Sequence, residues 1–286
     1  MAWTATRAVM TALEAKGGAG CARFVGGCVR NAVIGVSPEG VDIDVATILT
    51  PGEVTAALAD AGLKSVPTGI EHGTVTAIAE GKPFEVTTLR RDVSTDGRRA
   101  VVAFTNNWAE DAQRRDFRLN ALYADGSGAL YDPTGHGVAD ARAGRIVFVG
   151  DASRRIEEDY LRILRFFRFH AWYGRGEPDP AAVAACRALK DMLAGRPGER
   201  VSKELLKLLA AADPRPSVRL MAEAGVLEVV LPEADTLTGF EALVAMTQEA
   251  RSTTIPNFGS RRCLSARAAS GPPLRACACP TRNVSG

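Results

Sequence analysis

The sequence predicts an α+β fold, in which a mixed β-sheet with helices is followed by an all-helical second region. Short runs of alternating apolar and polar residues recur between residues 22 and 89, and this period-2 pattern is typical of strands. Beyond Gly174, only helical patterns separated by Gly and Pro remain until the last stretch of the chain. The 286 residues are enough for one large or two modest hydrophobic cores.

The first elements place a glycine turn between a strand and a helix. Residues 3–16 carry apolar side chains at helical spacing and precede a Gly-Gly pair, which predicts an amphipathic helix. A short apolar run at residues 24–25 then leads into Gly26, Gly27 and a helical turn. Because glycines let backbone N–H groups approach an anion closely, this stretch predicts a phosphate cradle.

Two carboxylates alternate with apolar residues in the run Val41, Asp42, Ile43, Asp44 and Val45. On a strand, the apolar side chains face the core and both carboxylates face the other way, about 6.6 Å apart. That spacing suits two Mg²⁺ ions about 3.5–4 Å apart, the arrangement used for in-line phosphoryl displacement. A solvated strand face is the ordinary meaning of an isolated Asp-x-Asp pair, but the glycine turn favours a nucleotidyl-transfer site.

The rest of the first region reads as one helix and three strands. Pro51 and Gly62 bound a helix over residues 51–61. Alternating runs predict strands at 63–66, 74–79 and 84–89. His72 lies in a turn between them, where a structural or rim position is its ordinary meaning.

The spacing of the glycine turn and the acid pair resembles a known family. Gly-Gly-x-Val-Arg, followed some fifteen residues later by Asp-x-Asp, is similar to the head of the polymerase β-like nucleotidyltransferases, specifically the bacterial tRNA CCA-adding enzyme and poly(A) polymerase family. The resemblance implies a polymerase β-like head. It also implies that Asp42 and Asp44 are catalytic and hold Mg²⁺, and that the triphosphate is cradled by Gly26, Gly27 and Arg30.

A second motif strengthens the resemblance. The run Arg-Arg-Asp-Phe-x-Leu-Asn-Ala, residues 114–121, is nearly identical to the second motif of that family. It implies that Arg114 and Arg115 meet the triphosphate with guanidinium forks suited to phosphate oxygens. Asp116 and Asn120 would orient the ribose and the surrounding loop. The following residues resemble the family's connector, with a closing strand over 145–151.

Three positions need separate comment. Asn31 stands where the family usually has Asp, so any ion pair made there loses its charge. Arg118 stands where many members have Thr, and no role is assigned to it. Glu85 lies on the strand predicted at 84–89 and is either a third carboxylate beside the acid pair or a solvated strand residue.

A third motif lies on a strongly amphipathic segment. Apolar residues repeat at the helical period from about residue 153 to 173, which predicts one long helix. The run Glu-Asp-x-Leu-Arg-Ile-Leu-Arg within it resembles the family's nucleotide-selection motif, with Asp159, Arg162 and Arg165 at the matching positions. Asp159 and Arg162 would face the edge of one base from one helix face. Taken alone, their i,i+3 spacing is that of a surface ion pair.

The second region is predicted to be helical at residues 179–195, 202–212 and 216–225. The run that begins at Arg200 resembles the neck that carries the tRNA end in this family. Arg200, Lys203 and Lys207 would contact RNA phosphates there. A solvated helix face is the ordinary meaning of each residue taken singly.

The predicted domains are a nucleotidyltransferase head at residues 1–150, a helical neck or RNA-binding region at 151–250, and an atypical tail at 251–286. The tail has six Arg, no Lys, Asp or Glu, and no apolar period, so it is predicted to be disordered. It reads either as a basic RNA-binding arm or, as we favour, as the product of a frameshift or truncation.

Composition excludes several other classes. The six cysteines form no C-x-x-C pair, which argues against a zinc site and a disulfide framework. No apolar run approaches 18 residues and no secretory signal is visible, so a cytoplasmic protein without a membrane partner is predicted. No protein partner is indicated.

The motifs together predict a template-independent RNA nucleotidyltransferase that adds C and A from CTP and ATP to the tRNA 3′ end. Two alternatives stay open. A poly(A) polymerase uses the same head and chemistry, and an inactive truncated RNA-binding remnant would keep the same motifs.

Overall fold

The computed structural model describes residues 2–36, 42–95, 100–234 and 236–254. Nine strands lie within these ranges. They are β1 (Ala22–Val25), β2 (Asp44–Thr47), β3 (Lys64–Gly69), β4 (Thr74–Ala79), β5 (Lys82–Thr88), β6 (Arg90–Thr95), β7 (Ala100–Phe104), β8 (Tyr123–Ala124) and β9 (Leu130–Tyr131).

Seven of these strands form one sheet in the order β3-β4-β5-β2-β1-β8-β9, and β6 and β7 form a separate antiparallel pair. Strands β2 and β5 are parallel, whereas the other neighbours in the large sheet are antiparallel. The predicted mixed sheet is therefore confirmed. The parallel pair sets Asp44 beside Glu85 in the register.

Twelve α-helices complete the described part of the chain. They are α1 (Ala2–Gly17), α2 (Gly27–Ile34), α3 (Pro51–Asp60), α4 (Trp108–Gln113), α5 (Gly137–Ala143), α6 (Ala152–Glu158), α7 (Arg162–Tyr173), α8 (Pro180–Leu189), α9 (Gly198–Leu209), α10 (Arg215–Glu223), α11 (Val226–Val230) and α12 (Thr238–Thr254). Every described element after β9 is helical, so the α+β fold class with an all-helical second region is confirmed.

Local signals fix several helix ends. Thr50 caps α3 by accepting a hydrogen bond from the backbone N–H of Glu53, while the Glu53 side chain bonds back to the Thr50 N–H, a capping box with Pro at the first turn. Asp151 caps α6 and Asp179 caps α8 through their side chains in the same position.

Two predicted elements take a different form in the structure, and several others differ in their bounds. The helix expected over residues 153–173 is two helices, because Asp159 is extended (φ −154°, ψ 104°) and its side chain accepts the backbone N–H of Leu161. Such a local bond competes with the helical ladder. The closing strand expected at 145–151 is a single bridge between Phe117 and Phe148.

The buried apolar residues of the described ranges form three clusters, two of which are large. Helices α1 and α3 pack on the sheet through Leu13, Leu58 and Phe84, which are fully buried. A second core joins Phe117 and Phe148 to the aromatic face of α7 and continues to Leu227. This core crosses the head boundary predicted near residue 150, which stays a prediction.

The described residues up to Val244 make one compact unit, and a second unit begins at Ala245. In the second unit the structure describes only the last part of α12. Of the predicted tail at 251–286, residues 255–286 lie outside the described residues. None of the helices in the described ranges has the length and apolar character needed to cross a membrane.

Candidate active site

A glycine turn joins β1 to α2 and opens the helix toward the site. Gly26 has φ 72° and ψ −125°, a conformation that residues with a Cβ rarely adopt. Its N–H donates to Leu122 O at 3.2 Å, which fixes the turn against the segment before β8. Helix α2 has no side-chain cap and no acidic residue in its first turn, so its N-terminal N–H groups suit an anion.

Two carboxylates lie on neighbouring strands beside this turn, and a third precedes them in the chain. Asp44 begins β2 directly opposite Glu85 on the parallel strand β5. Burial, Glu85 and Asp42 together raise the pKa of Asp44 to about 6, against a smaller opposing effect of Arg115. Asp42 precedes β2 and is exposed, so the strand begins later than the sequence predicted. The register places Glu85 beside Asp44, but Glu85 is also exposed on its strand, so both interpretations of this residue fit the structure.

This arrangement bears on metal binding. In the described part of the chain, no three His, Cys, Asp or Glu side chains converge closely enough to form a complete metal site by themselves. Asp44, however, is a half-buried carboxylate whose ionisation is opposed by two neighbouring acids. A site with such an excess of negative charge fits a divalent cation whose coordination is completed by water and phosphate oxygens.

The two arginines of the second motif are anchored to one acid. Arg114 donates through Nε and Nη2 to Asp111 Oδ1 at 2.8 and 2.7 Å. Arg115 donates through Nε and Nη2 to Asp111 Oδ2 at 3.2 and 2.9 Å. Arg115 also contributes to the electrostatics of Asp44, so its guanidinium lies on the acidic side of the site.

Asp116 and Asn120 are buried at the junction with α7. The Asp116 carboxylate accepts hydrogen bonds from the Phe117 N–H at 2.8 Å and from Asn120 Nδ2 at 3.1 Å. Its other oxygen accepts Nε of Arg165 at 2.9 Å as well as Nη2 of the same side chain. Although burial opposes ionisation, Arg165 and these donors hold the pKa of Asp116 below its ordinary value.

Arg30 is held beneath the glycine turn. Its side chain is 6% exposed and donates to Asn120 Oδ1 at 2.6 Å and to the Tyr173 hydroxyl at 2.7 Å. Two further bonds, from Nε and Nη2, reach Asn31 Oδ1 at 3.1 and 2.9 Å. Arg30 therefore braces the turn from inside and ties α2 to α7. Its direct contact with a triphosphate stays a prediction.

The structure corrects the expected geometry of the selection motif. Asp159 and Arg162 do not share a helix face, because Asp159 lies in the extended link between α6 and α7. They do not form the ion pair that their spacing allowed. Arg162 instead bonds Glu158 and, through Nη1 and Nη2, the backbone oxygens of Arg155 at 2.7 Å and Arg114 at 3.3 Å.

The basic residues predicted to contact RNA all lie on α9. Lys203 and Lys207 are exposed. Arg200 donates from Nη2 to Asp159 Oδ2 at 3.0 Å, so it meets the selection motif rather than standing apart from it. Glu204 of the same helix pairs with Arg168 at 2.9 Å and lies 3.9 Å from Arg165.

Two matches to known protein families cover much of the chain. Residues 22–147 match the family described as "Poly A polymerase head domain". Residues 177–237 match the family described as "Probable RNA and SrmB- binding site of polymerase A". The two matches therefore follow the order of the head and the helical region.

Curated relatives agree with these matches. "CCA tRNA nucleotidyltransferase 1, mitochondrial" of Homo sapiens is 40% identical over 226 residues, which cover 77% of this chain and 51% of that protein. The "CCA-adding enzyme" of Latilactobacillus sakei is 35% identical over 232 residues, which cover 80% of this chain and 56% of that protein. The chain belongs to the tRNA nucleotidyltransferase family.

Solved structures show the same relationship. The Bacillus stearothermophilus CCA-adding enzyme in complex with CTP superposes with a TM-score of 0.70 at 31% identity, covering 86% of this chain and 57% of that one. The Thermotoga maritima CCA-adding enzyme complexed with tRNA shares the fold, with a TM-score of 0.65 at 23% identity over 84% of this chain and 55% of that one. This member of the tRNA nucleotidyltransferase family spans about half the length of the curated relatives it matches.

The positions at which this chain departs from the pattern of its family have structural explanations. Asn31 keeps the acceptor geometry of the missing Asp, because its Oδ1 receives two N–H groups of Arg30. Arg118 points to the buried Asp140, with 3.8 Å between Nη1 and Oδ2. His72 is exposed in a 3-10 turn, which agrees with a rim position.

Sequence reasoning missed the residues that hold the site together. Asp111 anchors two arginines, Tyr173 meets Arg30, and Glu158 meets Arg162. Asp111 precedes Arg114 and Arg115 by three and four residues, the spacing of neighbours on a helix face, so a helical reading of this stretch would have found it. Tyr173 carried no such signal, because its partner lies on a distant helix.

Proposed function

We propose that this protein is a template-independent RNA nucleotidyltransferase that adds C and A from CTP and ATP to the tRNA 3′ end. The observation that carries the proposal is the register that sets Asp44 beside Glu85, next to the glycine turn and within electrostatic reach of Asp42 and Arg115. Acidic, anion-binding and basic groups thus surround one position, as transfer of a nucleotidyl group requires. The names of its relatives supply the substrate class.

The reaction forms one bond and breaks another. The 3′-hydroxyl oxygen of the RNA attacks the α-phosphorus of the nucleotide, and the bond from that phosphorus to the bridging oxygen breaks, releasing pyrophosphate. Asp42 and Asp44, with Glu85 adjacent, are the residues that would hold Mg²⁺. When bound, Mg²⁺ lowers the pKa of the attacking hydroxyl and neutralises charge on the leaving pyrophosphate.

Other residues bind and orient the substrates. The N-terminus of α2 and the guanidinium groups of Arg114 and Arg115 would meet the triphosphate, with Gly26 and Gly27 allowing the close approach. Asp116 and Asn120 would orient the ribose and the surrounding loop. Their own positions are fixed by their hydrogen bonds to Arg165 and Arg30. Here Arg30 and Arg165 act by holding neighbours in place.

Base selection is assigned to the start of α7. Cytosine and adenine each present an amino donor beside a ring-nitrogen acceptor, which a carboxylate and a guanidinium complement. Asp159 and Arg162 supply these two groups, and their separate partners in this structure mean that both must turn toward an incoming base. Lys203 and Lys207, exposed on α9, would meet the RNA backbone together with Arg200.

The division of labour follows the two family matches. We propose a catalytic head over about residues 1–150 and a helical region over about 151–250 that carries the RNA. The shared core that joins Phe117 and Phe148 to α7 means that these regions act as one packed body rather than as hinged domains.

The test is incorporation of each of the four nucleotides onto tRNA that ends before its CCA, with Mg²⁺ and the full chain. Two C residues followed by one A are expected, and Asp44→Asn should abolish all incorporation. Asp60→Asn, at an exposed acid on α3, is the matched control and should retain activity. Runs of A alone would identify a poly(A) polymerase, whereas a folded protein without incorporation would favour an RNA-binding remnant.

A further inference from the structure

One buried carboxylate anchors two of the arginines of the site. Asp111 on α4 is 1% exposed, yet its two oxygens accept hydrogen bonds from four residues. Besides the two arginines described above, the Tyr123 hydroxyl donates to Oδ2 at 2.7 Å and the Arg90 N–H donates to Oδ1 at 3.3 Å. A buried acid with so many donors organises the groups around it.

The two guanidinium groups meet Asp111 in the same way. Each uses its Nε and Nη2 edge, Arg114 on Oδ1 and Arg115 on Oδ2. Among the described residues, Nη1 of neither arginine has a hydrogen-bond partner. For Arg115, Nη1 lies 3.8 Å from the point that a Cβ on Gly26 would occupy. The unused edge of Arg115 therefore faces the glycine turn.

The charges leave a surplus for an anion. One carboxylate faces two guanidinium groups, so the three side chains carry a net positive charge. Burial opposes ionisation of Asp111, but Arg115, Arg114 and the Tyr123 hydroxyl hold its pKa below the ordinary value. The acid thus stays charged at neutral pH and fixes both arginines, while their remaining donors are available to phosphate oxygens.

The cluster of Asp111, Arg114 and Arg115 is also connected to Arg162, the arginine that is proposed to select the base. The backbone oxygen of Arg114 accepts Nη2 of Arg162 at 3.3 Å. The end of α4 therefore touches both a phosphate-binding side chain and a base-selecting one. A shift of the Arg114 backbone would therefore displace both the side chain that is proposed to meet the triphosphate and the one that is proposed to contact the base.

We propose that Asp111 is a positioning residue, which orients Arg114 and Arg115 so that their free edges face the triphosphate. This inference rests on the proposed function, because it assigns a task within that nucleotide site. Asp111 touches no substrate in this scheme, and it acts only through the two arginines.

The experiment compares Asp111→Asn with a matched control, Asp140→Asn, in the full chain. Asp140 on α5 is 2% exposed and also pairs with an arginine. Its carboxylate accepts hydrogen bonds from Nε and Nη2 of Arg145 at 2.9 and 2.8 Å. Both substitutions remove a buried charge from an arginine, so both should lower the melting temperature. Only Asp111→Asn should weaken CTP and ATP binding, by about tenfold or more, because two charge-assisted anchors are lost.

A second comparison tests whether Asp111 acts through the two arginines. In a background of Arg114→Ala and Arg115→Ala, Asp111→Asn should weaken nucleotide binding by no more than about twofold. A repeated tenfold loss in that background would overturn the proposal, because Asp111 would then act by another path. Equal nucleotide affinities for Asp111→Asn and the wild type would overturn it directly.

Two further measurements keep the outcomes separate. Asp111→Glu retains the charge but moves the carboxylate by one methylene, so it serves if the Asn variant does not fold. It should weaken nucleotide binding about fivefold by displacing both guanidinium groups, and wild-type affinity in this variant would contradict the proposal. If the wild-type protein itself binds neither CTP nor ATP, the proposed function fails and the role of Asp111 fails with it.

Discussion

The carboxylate of Asp159 accepts a hydrogen bond from Nη2 of Arg200 at 3.0 Å. The two residues come from different parts of the fold, the link between α6 and α7 and the first turn of α9. Asp159 is predicted to contact the incoming base, and Arg200 is predicted to contact RNA. Their bond therefore joins the two recognition tasks, and the arrival of either substrate would compete for it.

This relationship separates the roles of the two residues. Asp159→Ala should abolish the preference for C and A, and Arg162→Ala should slow incorporation of both by about tenfold, or 1.4 kcal/mol. Arg200→Ala should keep the base preference and raise the KM for tRNA, because the exposed pair contributes little to stability. The measurement is incorporation of all four nucleotides at varied tRNA concentration. If Arg200→Ala loses base preference as fully as Asp159→Ala, Asp159 depends on the ion pair for its task.

The raised pKa of Asp44 leads to a prediction about stability. Its pKa is about 6 in the folded protein, against an ordinary value of 3.8. The charge of Asp44 therefore destabilises the folded state fully above pH 6. This effect declines as the pH falls from 6 to 3.8, and it is absent at lower pH because the carboxyl group is then protonated in both states. In a chelating buffer, Asp44→Asn should therefore raise the melting temperature at pH 7.5, and this gain should shrink as the pH falls through 6 toward 4.

Mg²⁺ supplies the complementary measurement. At pH 7.5, Mg²⁺ should raise the melting temperature of the wild type but not that of Asp44→Asn, because bound ligand stabilises the state that binds it. Asp60→Asn is again the control and should follow the wild type in both buffers. A gain for Asp44→Asn that does not change with pH would show that the substitution acts through packing rather than charge.

The glycine turn offers a matched pair of substitutions. Gly26 has a φ of 72°, whereas Gly27 begins α2 with an ordinary negative φ. Gly26→Ala should cost about 1–3 kcal/mol of unfolding free energy from backbone strain alone, since the nearest atoms to its added Cβ are at 3.8 Å or more. Gly27→Ala should cost less than about 1 kcal/mol and is the control, to be compared by denaturant unfolding. Equal losses would remove the strain argument.

The replacement of Asp by Asn at position 31 is directly testable. Asn31 is 8% exposed, and its oxygen accepts two N–H groups of the buried Arg30. Burial lowers the pKa of Arg30, because a buried positive charge is unfavourable. A carboxylate at position 31 would offset this penalty with an opposite charge, which the neutral Asn31 amide does not carry. Asn31→Asp should raise the unfolding free energy by about 1 kcal/mol at pH 7.

The pH dependence provides the check on that variant. A carboxylate beside Arg30 would have a lowered pKa, so its stabilising effect would be present above pH 4 and lost as the pH falls further. Urea unfolding of both proteins at pH 7 and at pH 3.5 tests this. A less stable Asn31→Asp at pH 7 would mean that desolvation of the new charge outweighs its bonds.

Much of the sheet was predictable because its pattern is local. Alternation placed β4 and β5, and the glycine turn and Asp44 followed from short runs of sequence. The parallel contact that sets Glu85 beside Asp44 was left open, because register between distant strands is decided by the packing of the whole sheet.

The selection motif shows where sequence patterns fail. Apolar periodicity continued through residues 153–173, so it predicted one helix and could not detect the bond from the Leu161 N–H to the Asp159 side chain that ends α6. The spacing of Asp159 and Arg162 then suggested a partnership that the fold does not make. Their actual partners, Arg200 and Glu158, were decided by how α9 approaches this link and by the helix break itself.

The parallel pairing of β2 and β5 also has a consequence for folding. Parallel neighbours cannot be joined by a tight hairpin, so Asp44 and Glu85 meet only across the long connection that holds α3, β3 and β4. The turn between β1 and α2 joins neighbouring residues, and only its later bonds to Leu122, Asn120 and Tyr173 require distant parts of the chain. We therefore expect the phosphate cradle to form early as the chain folds, and the pairing of Asp44 with Glu85 to form late. The site would then be able to catalyse the reaction only after β5 has joined the sheet.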